Sequence, residues 1–124
     1  MKVGVDFQST QGTHRTGIGV FADNLFHAIL EENPKHQFIF YKKESDGDLN
    51  VPQRIAWESL EIPDRAARDK VDLLYSPGFS PAVRSKARRL VTVHDLIGLT
   101  YPQNQTSFST WAFPIPVCRI FPRL

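Results

Sequence analysis

The sequence predicts an α/β domain built on an open, mostly parallel sheet with helices on both faces. Three observations carry that prediction. Short segments rich in valine and aromatic residues, "KVGVDF", "HQFIFYKK", "VDLLYSP" and "RLVTVHDL", recur along the chain. Segments with helical spacing of apolar residues fall between them. The resulting order, strand, helix, strand, short strand, helix, strand, strand, is that of a wound sheet rather than a bundle or a sandwich.

"KVGVDF" reads as a first buried strand, and the polar stretch "QSTQGTHRTG" as the loop that leaves it. Ile18, Phe21, Ala22, Leu25 and Ile29 then recur at three- and four-residue spacing and form one apolar helical stripe. Asp23, His27 and Glu31 fall on the opposite side, Thr16 can cap the first turn, and Asn33-Pro34 ends the helix. "HQFIFYKK" is the second strand, with aromatic and β-branched residues suited to a pleated surface. "ESDGDLNVPQ" has the composition of a surface loop, and "RIAWESL" reads as a short third strand. "PDRAARDKV", with a proline near its start, is a short helix. "VDLLYSP" is a strand that stops at Ser76-Pro77-Gly78. After a basic loop, "RLVTVHDL" is a further strand with Val91 and Val93 on one face. A turn and a helix around Thr106 to Phe113 follow, which Pro114, Pro116 and Pro122 interrupt. Residues 112–124 therefore read as an atypical tail, and the chain as a fragment or a shifted reading frame.

Composition narrows the class. A length of 124 residues suits one compact domain and is short for a complete two-domain enzyme. With 41% hydrophobic and 23% charged residues, the expectation is a soluble globular domain, not a disordered chain. A formal net charge of +2, without a long basic face, argues against nucleic acid as a partner. The single Cys118 excludes an internal disulfide and any multi-cysteine metal site. The four histidines form no i, i+4 pair, which counts against zinc. No apolar run approaches the ~18 residues of a membrane helix. The N-terminus reaches Asp6 too soon for a secretory signal, so the expected compartment is the cytoplasm.

Two stretches carry candidate chemistry. In "HRTGIGVFADNL", Gly17 and Gly19 open the first helix, and with Ala22 they spell the dinucleotide fingerprint G-x-G-x-x-A. That fingerprint requires the first glycine almost directly after the strand, whereas Gly17 lies eleven residues beyond Asp6. An acidic residue should also end the second strand, which here runs into Tyr41-Lys42-Lys43. A dehydrogenase is therefore disfavoured. Two readings stay open: the glycines let a phosphate approach the helix N-terminus, or they merely permit a tight turn. In "VTVHDLIGLTYP", His94 follows a strand and lies at the carboxyl edge of the sheet, where open α/β sheets bind ligands. Its imidazole can meet a sugar hydroxyl or, protonated, a phosphate, or it can simply close the turn with Asp95. "YSPGF", residues 75–79, leaves a strand at the same edge.

Taken in order, "MKVGVDFQSTQGTHRTGIGVFADNL", "VDLLYSPGFSP" and "LVTVHDLIGLTYP" resemble the N-terminal, acceptor-side domain of family 4 glycosyltransferases, retaining enzymes of the GT-B fold. The similarity runs from Met1 to about Trp111. It implies a Rossmann-like domain over residues 1–111, one half of a GT-B architecture whose other half holds most of the nucleotide-sugar donor. Carried over by motif, Gly17 and Gly19 approach the donor's pyrophosphate, and His94 sits beside the transferred sugar and orients it and the acceptor. Arg15 is implied as an acceptor or phosphate contact, and Asp95 as a residue holding the turn. Pro77, Gly78 and Phe79 form part of the acceptor wall. The resemblance implies no metal or other cofactor, and a glycan or lipid-linked acceptor. The family's donor-binding half, with its basic residues and paired glutamates, does not occur by Leu124. The lone chain is therefore expected to be inactive without such a half. The alternatives are a catalytically inactive remnant or partner-dependent binding subunit, and an unrelated nucleotide-binding domain.

The remaining features have plainer readings. "VRSKARR" gathers Arg84, Lys86, Arg88 and Arg89 in what is ordinarily a solvated loop; the other options are a phosphate-bearing acceptor or peripheral contact with an anionic membrane. Trp57 and Trp111 read as core or interface, and Asp6 as an anchor for the long loop rather than a metal ligand.

Overall fold

The structure is a computed structural model that describes residues 1–10, 16–32, 35–43, 49–78 and 84–95. Its centre is a four-stranded, wholly parallel sheet in the order β2-β1-β3-β4, with β1 at Lys2–Asp6, β2 at Gln37–Tyr41, β3 at Leu73–Ser76 and β4 at Arg88–Val91. The fold is thus the α/β, Rossmann-like arrangement that the order of elements predicts. The expected boundary at residue 111, the proline-interrupted tail and Cys118 lie outside the described residues.

Side-chain alternation along the strands creates two layers. Val3 and Val5 of β1, Phe38 and Phe40 of β2, and Leu73 and Tyr75 of β3 point to one face. There they meet Ala22 and Phe26 of helix α1, Gly17–Glu31. Phe26 packs edge-on against Phe7 and Phe40, with centroids 5.9 and 5.2 Å apart. The stripe of α1 is rotated from the expected one: Gly19, Ala22 and Phe26 are buried, whereas Phe21 is 38% exposed. On the opposite face, Ile39 and Tyr41 of β2 and Leu74 of β3 meet Trp57, Ile62 and Ala66. Helices therefore do cover both faces.

The second helical layer corrects one expectation. "RIAWESL" is not a strand; residues 51–68 form a helical run made of α2 (Val51–Ala56), a π turn (Trp57–Glu61) and α3 (Ile62–Arg68). Two local features force helix there. Asn50 and Gln53 form a reciprocal capping box, each side chain accepting from the other's backbone N–H at 3.0 Å. Pro63 has no N–H, and its ring would clash with the carbonyl four residues earlier in a regular α-helix. The wider π turn spares that clash, and the Ile62 N–H reaches back five residues to Trp57 O. The turn also keeps Trp57 and Ile62, five residues apart, on one buried face.

Gly4 lets these layers close. A Cβ there would lie 2.7 Å from Tyr41 Cε2 and 3.3 Å from both Leu74 Cδ1 and Val71 Cγ1. The central strand thus has no room for a side chain on its Tyr41 face. Gly4→Ala should overpack this site and cost about 1–3 kcal/mol, read as a lower midpoint of urea unfolding.

Candidate functional site at the carboxyl edge

The strand order fixes where a site can form. The chain passes from β1 outward to β2, then returns to β3 on the other side of β1. The carboxyl ends of β1 and β3 therefore flank a topological switch point, the crevice where open α/β sheets bind ligands. Helix α1 begins at this edge because it follows β1. Thr16 is its N-cap, in extended conformation, with Oγ1 accepting from Gly19 N at 3.1 Å. That bond occupies the Gly19 amide, and Gly19 is buried. The amides of Gly17 and Ile18 have no place in the helix's own ladder. Neither Gly17 nor any other described glycine has positive φ, and among the described residues a Cβ at Gly17 would meet nothing within 4 Å.

The ends of β3 and β4 come to the same place. Pro77 is fully buried, and Gly78 lies against the first turn of α1, a Cβ there being 3.9 Å from Ile18 Cγ2. Beyond β4, Thr92 N donates to Ser76 O at 3.1 Å, and Thr92 Oγ1 shares a 2.7 Å hydrogen bond with the hydroxyl of buried Tyr75. These bonds set the exit of the strand, and His94 follows two residues later. Its Nε2 lies 2.7 Å from Pro77 O, and its ring meets Phe21 of α1 edge-on, with centroids 5.0 Å apart at 86°. Of the residues singled out in the sequence, Gly17, Pro77, Gly78 and His94 thus converge, while Gly19 lies just inside the helix. Asp95 is exposed beside them; Arg15 and Phe79 lie outside the described residues.

Sequence reasoning missed Phe21 and Tyr75 as parts of this site. Phe21 sits at helical spacing with core residues, so its apolar character concealed its place at the edge. Tyr75 stood in the quoted "YSPGF", yet only the sheet register reveals that its hydroxyl reaches Thr92.

A second network fixes the turn that leaves β1, Gln8–Thr10. Asp6, at the end of β1, accepts at Oδ1 from Gln8 N at 3.2 Å and from Trp57 Nε1 at 3.1 Å. Gln8 Oε1 accepts from Lys43 N at 2.7 Å, tying the turn at Gln8–Thr10 to the end of β2. Asp6 is an anchor, as its position in the sequence suggested. Burial pushes its carboxyl above the usual range, against the lowering pull of the Trp57 and Gln8 hydrogen bonds. A hollow of about 510 Å³ lies away from His94, on the outer side of β2, between Tyr41 and α3. Its Arg65 donates to Lys42 O at 3.2 Å and stacks over the Trp57 ring at 4.8 Å. Those charges shield the exposed edge strand.

Among the described residues no group of three or more His, Cys, Asp or Glu side chains is placed to hold a metal ion. Arg84, Lys86, Arg88 and Arg89 are all exposed, the last two on edge strand β4, whereas Trp57 is fully buried. No helix among the described residues is long and apolar enough to cross a membrane. No protein-family model, curated protein or solved structure matches the chain.

The raised Asp6 pKa has a signed consequence. Between the unfolded carboxylate value and the raised folded one, the native state holds the extra proton, so stability falls as pH rises through that window. Asp6→Asn keeps an oxygen acceptor for Trp57 and Gln8 and removes the charge. Urea unfolding should show this variant more stable than the parent at pH 7, with the gap narrowing below pH 4.

Proposed function

We propose that this chain is the acceptor-side domain of a retaining glycosyltransferase of the GT-B type. It would act with a donor-binding half to transfer a sugar from a nucleotide-sugar to a glycan or lipid-linked acceptor. One observation carries the reading: the glycine-opened start of α1 and His94 meet at the carboxyl edge, beside the β1/β3 switch point. The amides of Gly17 and Ile18 and the positive end of the α1 dipole face the donor diphosphate. Its charge grows as the sugar departs, so donors fixed in advance at this position lower the barrier. His94 lies beside the transferred sugar and orients it and the acceptor hydroxyl, which brings the reacting atoms together. Arg15 adds positive charge near the diphosphate, and Pro77, Gly78 and Phe79 shape the acceptor side. The exposed arginines and lysine at positions 84–89 suit contact with an anionic membrane that presents a lipid-linked acceptor.

The test is a transfer assay with radiolabelled nucleotide-sugars and membrane lipid extract, using the chain alone and with the donor-binding half of a family 4 enzyme. Transfer is expected only in the combined sample, and His94→Ala should lower kcat about 10²-fold. Full activity of His94→Ala would remove His94 from the site. Acceptor binding without transfer in any combination would favour a partner-dependent binding subunit instead.

A further inference from the structure

Ser76 ends β3 and is 3% exposed, the one serine, threonine or charged residue in the buried set among the described residues. The buried aromatic side chains with polar tips all have partners. Trp57 Nε1 donates to Asp6, the Tyr41 hydroxyl donates to Asp69, and the Tyr75 hydroxyl is bonded to Thr92. The Ser76 carbonyl is engaged as well, accepting from Thr92 N. Its Oγ, by contrast, has no hydrogen bond among the described residues. A buried hydroxyl left so forfeits its hydration without return, and therefore marks a place where an outside group completes the bonding. Asp6 stands beside it. The register Val5↔Tyr75 sets Asp6 across from Ser76, on parallel strands ~4.8 Å apart. Both side chains project to the Trp57 face: Asp6 is bonded to Trp57, and Ser76 follows Leu74 of that face by two residues. The two protein donors to the Asp6 carboxyl, Gln8 N and Trp57 Nε1, both fall on Oδ1. Among the described residues Oδ2 has none.

We infer that Asp6 Oδ2 and Ser76 Oγ form a subsite for a neutral hydroxyl of a bound ligand, on the side of the carboxyl edge opposite α1. A carboxyl oxygen accepts, and a serine hydroxyl both donates and accepts. Together they satisfy one alcohol group that donates to Asp6 and accepts from Ser76. Asp6 is half-buried, so a ligand reaches the pair from its side. The pair selects against charge. A cation would need Asp6 to ionise, which burial opposes, and an anion would be repelled by Asp6 once ionised. An alcohol is accommodated in either state. The edge is thereby divided: the amides at the start of α1, on one face of the sheet, suit a charged group, and Asp6 and Ser76, on the other, suit hydroxyls. That the hydroxyl belongs to a sugar rests on the transferase reading, in which it is a hydroxyl of the acceptor. Because Trp57 Nε1 is bonded to the same carboxyl, its indole signal reports on this subsite.

The experiment titrates the full chain with methyl α-D-glucopyranoside, methyl α-D-mannopyranoside and methyl β-D-galactopyranoside, following the indole ¹⁵N–¹H signal of Trp57. Trp111→Phe distinguishes that signal from the other indole. At least one glycoside should shift it saturably, whereas its permethylated counterpart, which has no hydroxyl, and inorganic phosphate should not. Ser76→Ala should weaken binding about fivefold, the effect of one net hydrogen bond. Asp6→Asn keeps an oxygen to accept from Trp57, puts an N–H₂ donor where Oδ2 was, and should weaken binding at least as much. A Trp57 signal that no glycoside shifts would overturn the inference, as would parental affinity in Ser76→Ala or in Asp6→Asn. A water held against the Ser76 hydroxyl, seen as a cross-peak that all three glycosides leave unchanged, overturns it equally. Should Ser76→Ala lose the dispersed amide spectrum of the folded chain, Asp6→Asn carries the test alone, and parental affinity in that variant is the overturning result. Glycoside binding that depends on Ser76, without transfer in any combination, keeps the subsite and removes the transferase reading. Transfer with an acceptor KM that Ser76→Ala leaves unchanged removes the subsite and keeps the transferase.

Discussion

The fold depends on β1 being covered from both sides by parts of the chain that come later. Val3 and Val5 face α1, while Gly4 yields its place to Tyr41, Leu74 and Val71 on the other side. A short strand can be sandwiched like this only if one of its faces carries almost no volume. The close approach brings Tyr41 down onto the sheet, where its hydroxyl reaches Asp69 Oδ2 at 2.9 Å and ties the end of β2 to the turn after α3. Burial, that hydrogen bond and the Asp69 charge together push the tyrosine hydroxyl well above its ordinary range, so it stays a donor. Both crossovers are pulled tight from one missing side chain.

Tight crossovers then deliver the loops to one edge. Asp6, Ser76 and the segment after Val91 all end at the carboxyl side, so the polar groups beyond them need no further design to become neighbours. What the chain adds is fixation. Trp57 holds Asp6, Tyr75 holds Thr92, and Pro77 holds His94, each through a hydrogen bond between segments distant in sequence. Two of these holders, Trp57 and Tyr75, are large buried aromatics with a single polar tip. Their apolar bodies belong to the core and their polar atoms to the site, so packing and positioning are accomplished by the same residues.

Much of this was legible in the sequence, and the failures have physical causes. The strands at residues 2–6, 37–41 and 73–76 announce themselves by dense apolar composition, the one at 88–91 only by the Leu90-Val91 pair at its end, and Thr16 by its place before the first helical stripe. The helix at "PDRAARDKV" was legible and is α3, but the helical residues before it, 51–61, were not, because the core positions Trp57 and Ile62 are five apart, which fits neither the strand nor the helix period. The phase of the α1 stripe was also misplaced. Phe21 and Phe26 are equally apolar, and only the placement of β4 and His94 distinguishes the one at the edge from the one in the core. Spacing within a segment reveals faces; it does not reveal which distant segment a face will meet. The site residues Gly17, Pro77 and His94 could be proposed from position alone, whereas Tyr75 and Phe21 required the register of the sheet and the contact with His94.

The π turn at Trp57–Glu61 makes the length of its segment a discrete quantity. Removing one residue would return the helix to regular pitch with Trp57 and Ile62 four apart, the spacing that still places both on one face. The ring of Pro63 would then press on the carbonyl four residues before it. The phase of this helical run thus survives a change of length that its proline does not, and the fifth residue of the turn is there to make room for Pro63.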